Sequence, residues 1–452
     1  MMPILDRANR NNEPPENNGK DIEEFRVDAD KGREPEFVPG QLGTRWLSQA
    51  AVVELIEAAF FDEYNDSPAL READTPTKKL KLLLDTANHV FAVESLDLPA
   101  DEKSELIGKA YSNLFGYGPL DKLFLDDRVT TISLDGPDKA SVRYGHGDLE
   151  SLGPIFQDER HFRRIIGRLL MDAGAELRND QPYIETGLRV DERPVCVNLV
   201  APPIAFQLGV DMRVHLKTLP TASELVSNGF MTAQAATLLQ ALVASPHGLM
   251  VVGEPESGKT TLLNVLLQWL PKPENAISVE RAGELRLPTG MQRLMTLWPV
   301  SDTPGATFGE QIGHALENQP ASIVLDEVRA DEPLTIAPLL SMDNPPRQIW
   351  SFRGAIFAKR LQSALGMLAR RADFGQGEEM VRALHERLPF VVTVIRSNGQ
   401  LRLWSVAEWQ FKDGSGYPTY TLLMNTEERV LKLAGEHPSR ELSIPEGFWK
   451  TS

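Results

Sequence analysis

The chain has 452 residues, 42% of them apolar, which allows two or three domains with substantial cores. Its 47 Lys and Arg against 64 Asp and Glu leave a net charge of −17, so no general attraction to nucleic acid or anionic lipid is expected, which leaves room only for a local basic patch. The single cysteine, Cys196, excludes an internal disulfide and a Cys-rich metal site, fits a reducing cytoplasm, and reads as a small core residue.

No run approaches the roughly 18 uninterrupted apolar residues of a membrane span, and Met1 to Asn12 lacks the apolar core of a signal peptide. Membrane association is therefore expected only through partners, with no direct insertion. Residues 11–36 hold nine acidic and four basic residues together with Pro14-Pro15 and Asn17-Asn18, so 1–44 reads as a disordered acidic tail.

From Trp46 the pattern becomes helical. Val52, Leu55, Ile56, Ala59 and Phe60 share one helix face; Leu83, Ala87, Val90 and Phe91 mark a second, and Ile107, Ala110, Tyr111 and Leu114 a third. Polar, Pro-containing connections separate them, which predicts a small bundle over 45–116.

At Gly116-Tyr117-Gly118-Pro119-Leu120 that period stops. The strand-like runs Val129–Leu134, Ala140–Tyr144 and Val195–Val200, with a helix over His161–Leu170 carrying Phe162, Ile165, Ile166 and Leu169 on one face, predict an α+β domain over 117–205. Pro202-Pro203 and the stretch to Pro220 read as a connection, placed at 206–221. Beyond it, a helix over Ala233–Ala244 and apolar strands at Leu249–Val252, Ile277–Val279 and Ile323–Leu325 predict a parallel sheet covered by helices over 222–424, with 425–452 as a C-terminal extension.

Within that last domain, Gly253-Glu254-Pro255-Glu256-Ser257-Gly258-Lys259-Thr260-Thr261 follows an apolar strand and opens a helix that ends before Pro271. The pattern G-x-x-x-x-G-K-T in this context is a phosphate-binding loop: backbone N–H groups close around phosphate oxygens and the helix N-terminus adds partial positive charge. Lys259 is expected to reach the β- and γ-phosphates. The Thr260 hydroxyl is placed for Mg²⁺, which needs few protein ligands because phosphates and water supply the others.

Three features together resemble the type II/type IV secretion ATPase superfamily, most closely its CpaF/TadA-like pilus-assembly branch, over about 46 to 424. The first is the order Gly116-Tyr117-Gly118-Pro119-Leu120, Asp135-Gly136-Pro137 and Asn198-Leu199-Val200-Ala201-Pro202-Pro203, similar to the family's N-terminal domain. The second is Ile277 to Pro288, similar to its acidic box, with Glu284 where the family keeps its catalytic glutamate. The third is Ile323 to Glu332, similar to its Walker B strand, with Asp326 and Glu327 at the strand end where ligands meet an open α/β sheet. The resemblance implies Glu284 and Glu327 in catalysis, Asp326 or Glu327 at the Mg²⁺ water shell, and a carboxylate near the water that attacks the γ-phosphorus.

The departures are specific. Arg281 stands where the acidic box usually has Asp, and Asp326 where Walker B usually has Gly. The family's two histidines after Walker B have no counterpart between Met342 and Ala358; Asn344 and Phe352 stand near those places. Cys196 replaces an expected arginine. Arg213 is a retained phosphate-facing arginine or a plain surface residue, Arg189 and Arg193 are candidates for a compensating charge, and Arg281 and Asp326 are candidates to pair with each other.

The fold expected is α/β: a RecA-like P-loop domain preceded by a helical bundle and an α+β N-terminal domain. The resemblance implies ATP and Mg²⁺ as ligands, a homo-hexamer or a mixed ring with a paralogue, and a cytoplasmic position at the inner face of the membrane through secretion or pilus platform proteins. Three functions are compatible with these motifs. One is a working ATPase motor. Another is a degenerate nucleotide-binding subunit with weak hydrolysis. The third is a conjugation-type DNA-transfer ATPase, which the acidic balance disfavours.

Overall fold

The computed structural model describes residues 37–39, 45–65, 67–301, 303–354, 356–397, 399–411, 417–427 and 430–449. The acidic tail expected over 1–44 lies outside the described residues except for β1 (Phe37–Pro39), which pairs antiparallel with β2 (Arg45–Leu47). The chain divides into two compact units, residues 1–114 and 115–452.

In the first unit, helices run over Gln49–Tyr64, Pro68–Glu72, Pro76–Val93 and, into the second unit, Ala100–Phe115. Ser48, Ser67 and Thr75 cap the first three through their side-chain oxygens, and prolines open the second and third, where a missing N–H costs nothing. Ile56, Phe60, Leu83, Ala87, Phe91 and Ala110 are buried, the apolar faces read from the period. Asn113 donates to the buried Glu57 at 2.6 Å.

The second unit opens with a short helix, Leu120–Leu125, and a six-stranded antiparallel sheet. Its strands are β3 (Val129–Asp135), β4 (Lys139–Tyr144), β5 (Leu149–Gly153), β6 (Tyr183–Val190), β7 (Arg193–Val200) and β8 (Gly209–Val214), in the order β5-β4-β3-β8-β7-β6. The helix Glu159–Asp172 lays Phe162, Ile165, Ile166 and Leu169, all fully buried, on its core.

The stretch 206–221, expected as a connection, differs in the structure because it contains β8, which sits between β3 and β7. Val210, Met212 and Val214 point into the core while Asp211 and Arg213 take the other face, the period-2 alternation of a half-buried strand.

The remaining sheet has nine strands: β9 (Leu249–Gly253), β10 (Ala276–Glu280), β11 (Gln292–Met295), β12 (Ser322–Val328), β13 (Arg347–Arg353), β14 (Phe390–Ser397), β15 (Gln400–Gln410), β16 (Thr419–Glu427) and β17 (Val430–Leu433). The order is β11-β10-β12-β13-β9-β14-β15-β16-β17, parallel from β11 to β14 and antiparallel beyond. Leu249 and Val251 face a core that includes Leu238 and Leu262, while Met250 and Val252 face another that includes Ile312 and Leu365. Burial on both faces is why these strands read as continuous apolar runs.

The C-terminal residues are part of this domain's packing. β17 completes the sheet edge, Leu442, Ile444, Phe448 and Trp449 pack on the first core, and the fully buried Glu408 accepts from Ser439 N (2.7 Å), Ser439 Oγ (2.8 Å) and Arg440 Nη1 (2.7 Å).

His161 packs edge-on against Phe156, and its Nδ1 accepts from Gln157 N at 3.3 Å, an arrangement that needs the neutral ring. Burial lowers its pKa to about 4, with Arg164 adding to the effect. Because the unfolded ring titrates near 6.5, the unfolded state gains protons first, and stability is lost as pH falls from about 6.5 towards about 4. The expected loss is at most about 3 kcal/mol, and His161→Phe should flatten it in urea unfolding measured at pH 7 and pH 4.5.

Candidate functional site

The loop after β9 is shaped by its glycines. A Cβ on Gly253 would lie 2.3 Å from Ser257 Oγ and 2.6 Å from Val394 O, and Gly258 holds φ +93° at the start of the helix Lys259–Leu267. Only glycine fits both places without displacement. Glu254 and Pro255 are exposed, Ser257 is buried with no hydrogen-bond partner on Oγ among the described residues, and Thr261 follows half-buried in the first helical turn. A buried hydroxyl without a partner, in a loop shaped by two glycines at a helix start, fits a phosphate group.

Lys259 is 6% exposed, and its Nζ donates to Glu254 O at 3.0 Å and pairs with Glu327 Oε2 at 3.2 Å. Burial lowers the ammonium pKa, and the Glu327 charge opposes that shift. The Thr260 hydroxyl lies 3.4 Å from Glu284 Oε2.

Glu284 is positioned by a loop that is itself fixed at two points. Fully buried Glu280, at the end of β10, accepts from Leu285 N (2.9 Å), Ser278 Oγ (2.8 Å) and Arg293 Nε (2.9 Å), and Asn264 Oδ1 accepts from Arg286 N at 2.7 Å. Between these anchors Glu284 is 5% exposed, with Oε1 accepting from Arg213 Nη2 at 3.0 Å and Oε2 lying 3.2 Å from His215 Nε2. Burial alone would raise its pKa, but Arg213 and His215 outweigh burial and hold the carboxyl well below the usual range.

At the end of β12, Asp326 is 7% exposed, and burial, followed by the charges of Glu284, Glu280 and Glu327, pushes its pKa well up. Arg281 does not pair with the Asp326 carboxylate. Its backbone N donates to Asp326 O at 3.2 Å, while its guanidinium donates to Glu327 O (3.0 Å), pairs with Glu332 and lies 4.3 Å over the Phe308 ring.

The α+β domain closes this cleft. Gly187 on β6 meets the acidic loop so closely that a Cβ would fall 1.8 Å from Ala282 O. Glu185 takes Arg329 through both oxygens at 2.7 Å, Trp298 Nε1 donates to Glu185 O at 2.7 Å, and Arg286 Nη2 donates to Leu216 O at 2.6 Å. Glu185, Arg213, Thr260, Arg281, Glu284 and Asp326, with Ala282 and Glu327, line a narrow, partly open cleft.

Of the residues singled out in the sequence, Arg213, Lys259, Thr260, Glu284, Asp326 and Glu327 converge here. Cys196 is fully buried, its Sγ 3.6 Å from Arg213 Nη2. Arg189 is exposed and outside the cleft lining. Asn344 is exposed and Phe352 is in the core, so neither stands in for a histidine. His215, Glu185 and Arg329 were not anticipated; an odd-even alternation carrying Arg213 and His215 on one face was the available signal for the first.

Arg193 has a different role from a compensating charge. It is 1% exposed and donates to His215 O (2.9 Å), Phe124 O (3.0 Å), Asp126 O (2.8 Å) and Val129 O (2.6 Å), tying four carbonyls together behind the site. Arg193→Met should therefore lower stability by about 3 kcal/mol or more through orphaned carbonyls. Urea unfolding checks this; unchanged stability with weakened nucleotide binding would instead mark a phosphate ligand.

Comparison with known proteins gives similarities that span the site-bearing part of the chain. The type II/IV secretion system protein family matches residues 164–340. A putative conjugal transfer protein of Mycobacterium tuberculosis is 31% identical over 227 residues, which is 49% of this chain and 64% of that relative, so the chain spans a little under two thirds of its length. The type IV secretion system protein PtlH of Bordetella pertussis is 33% identical over 97 residues, 21% of this chain and 29% of PtlH. The Legionella pneumophila ATPase DotB superposes with a TM-score of 0.44 at 14% identity, covering 67% of this chain and 81% of DotB. Among the described residues no helix is long and apolar enough to cross a membrane. Residues 164–340 therefore belong with the type II/IV secretion system proteins, and the sequence similarities support the type II/IV secretion ATPase superfamily.

Proposed function

We propose that this chain is an ATP-binding motor subunit of a secretion or type IV/Flp pilus-assembly machine, working in a ring with copies of itself or a paralogue against inner-membrane platform proteins. The observation that carries the reading is the cleft itself: Thr260 of the phosphate loop lies against Glu284, its neighbour Lys259 pairs with Glu327, and Glu284 is held by Arg213 and His215 from the other domain. A nucleotide there would bear on both domains, so binding would be felt as a change in how they sit together.

Lys259 and the loop amides would bind the phosphates, with Arg213 facing them across the cleft. Thr260 and Asp326 would hold Mg²⁺, which offsets phosphate charge when bound. Glu284 and Glu327 are the carboxylates available to orient and deprotonate a water. Glu284 is a weak base while Arg213 and His215 hold it, because its proton affinity is depressed. Turnover is therefore expected to be slow for as long as that contact persists.

The conjugation-type reading is favoured by the relatives described as conjugal transfer proteins. The net charge of −17 weighs against a direct grip on DNA. Hydrolysis stimulated by single- or double-stranded DNA would decide for that reading.

Lys259→Ala should weaken Mg-ATP binding by about tenfold or more, because a charge contact disappears from a mostly desolvated site; calorimetry checks it, and equal affinity would overturn the loop assignment. Single-turnover hydrolysis by the assembled protein should run below about 1 per second. Glu284→Gln should lower it by a further 10²–10³, roughly the loss seen on removing one transition-state group, with binding nearly intact. A faster wild-type rate would show that His215 and Arg213 substitute fully for the missing groups.

A further inference from the structure

Glu256 is an unexpected residue for its place. It lies in the middle of the phosphate loop with φ +58°, a left-handed conformation that glycine takes freely and other side chains disfavour. It also brings a negative charge to a loop meant to surround polyphosphate, where like charges repel. The structure shows what restrains it. Its Oε2 accepts from Arg143 Nη1 at 2.5 Å and from Arg396 Nη1 at 3.0 Å. Arg143 belongs to β4 of the α+β domain and Arg396 to β14 of the ATPase sheet. Arg396 Nη2 also donates to His146 O, in the turn after β4, at 2.6 Å.

An isolated surface ion pair would contribute little. This one differs in two respects: the Arg143 side chain is only 16% exposed, and two guanidiniums from two domains converge on a single carboxylate oxygen. Both hold the carboxylate at the loop's outer edge, where Glu256 is exposed, and away from Lys259, whose Nζ points to Glu254 O and Glu327.

We propose that Arg143 and Arg396 clamp Glu256 so that the phosphate loop keeps its left-handed turn, and its carboxylate clear of the phosphates, only while the α+β domain is seated on the ATPase domain. Nucleotide affinity then depends on domain docking through this residue. The inference deepens the nucleotide-binding reading above and rests on it. When the α+β domain moves away, Arg143 and the His146 carbonyl leave with it, Glu256 is half released, and affinity falls. Arg143 and Arg396 are positioning residues here; neither need touch the nucleotide.

The test is a pair of double-mutant cycles on the full chain, with Mg-ATP as the probe in calorimetry. Arg143→Ala should weaken binding about tenfold in the wild-type background, yet by less than about twofold in Glu256→Gly. Glycine holds the turn unaided and has no carboxylate to restrain. Arg396→Ala should behave the same way, and serves if Arg143→Ala fails to fold. An equal loss in both backgrounds would overturn the proposal by showing direct contact with nucleotide, and no loss in either would overturn it as well. Thermal melting without nucleotide separates this from failure of the nucleotide reading. Arg143→Ala should lower the melting temperature of the wild type and not that of Glu256→Gly, and the same lowering in both would sink the clamp even if ATP binds.

Discussion

The interaction on which the rest of the site depends is the buried contact of Glu284 with Arg213. A carboxylate at 5% exposure is costly unless its charge is met, and here the partner comes from another domain. That contact makes several otherwise separate features necessary. The acidic loop must be held at fixed height, which Glu280 and Asn264 do through Leu285 N and Arg286 N. β6 must come close enough for β8 to present Arg213, which requires a glycine at 187 against Ala282 O. The back of β8 must be braced, and Arg193 gathers the carbonyls there.

Sheet topology explains why these groups come from distant parts of the chain. β9, β10 and β12 are parallel neighbours or near neighbours, so their C-terminal ends open on the same edge, where the phosphate loop, the acidic loop and Asp326-Glu327 all begin. The antiparallel strands β15 to β17 extend the sheet beyond β14, and the core they help to form gives Leu442, Ile444, Phe448 and Trp449 a surface to pack on. The second sheet contributes by its strand faces instead. Arg213 and Glu185 sit on the side opposite the core residues Met212 and Ile184, as alternation dictates.

Much of this was legible in the sequence because the signals were local. The loop Gly253–Thr260 needs specific glycines beside a strand and a helix, and the strands at 249, 276 and 322 are apolar on both faces. What was not legible depended on partners far along the chain. β8 alternates as a strand should, but the prolines at 202, 203 and 220 frame it like a connection. Arg193 looked like a spare charge because nothing in the sequence shows that four carbonyls from three segments meet at its guanidinium. Arg281 likewise found Glu332 and the Phe308 ring in place of Asp326. The relation of His215 to Glu284 exists only once two domains are packed, so no local pattern carries it.

The charge arrangement around Glu284 also constrains how chemistry and motion are linked under the proposed function. A carboxylate held well below its usual pKa is a good partner for Arg213 and a poor base, and it cannot be both at full strength. The same guanidinium is the one placed to face phosphate. If Arg213 turns toward phosphate, Glu284 loses its main compensating charge, burial then raises its proton affinity, and it becomes a better base at the moment a nucleotide is in place. Lys259 is in an equivalent position, since it shares Glu327 with Arg329 and would exchange that carboxylate for phosphate. Both exchanges alter a contact at the cleft wall, and the Arg213 exchange alters the bond between domains directly. Under the proposed function, ligand binding at the loop and the angle between the two sheets would thus be governed by the same few charges.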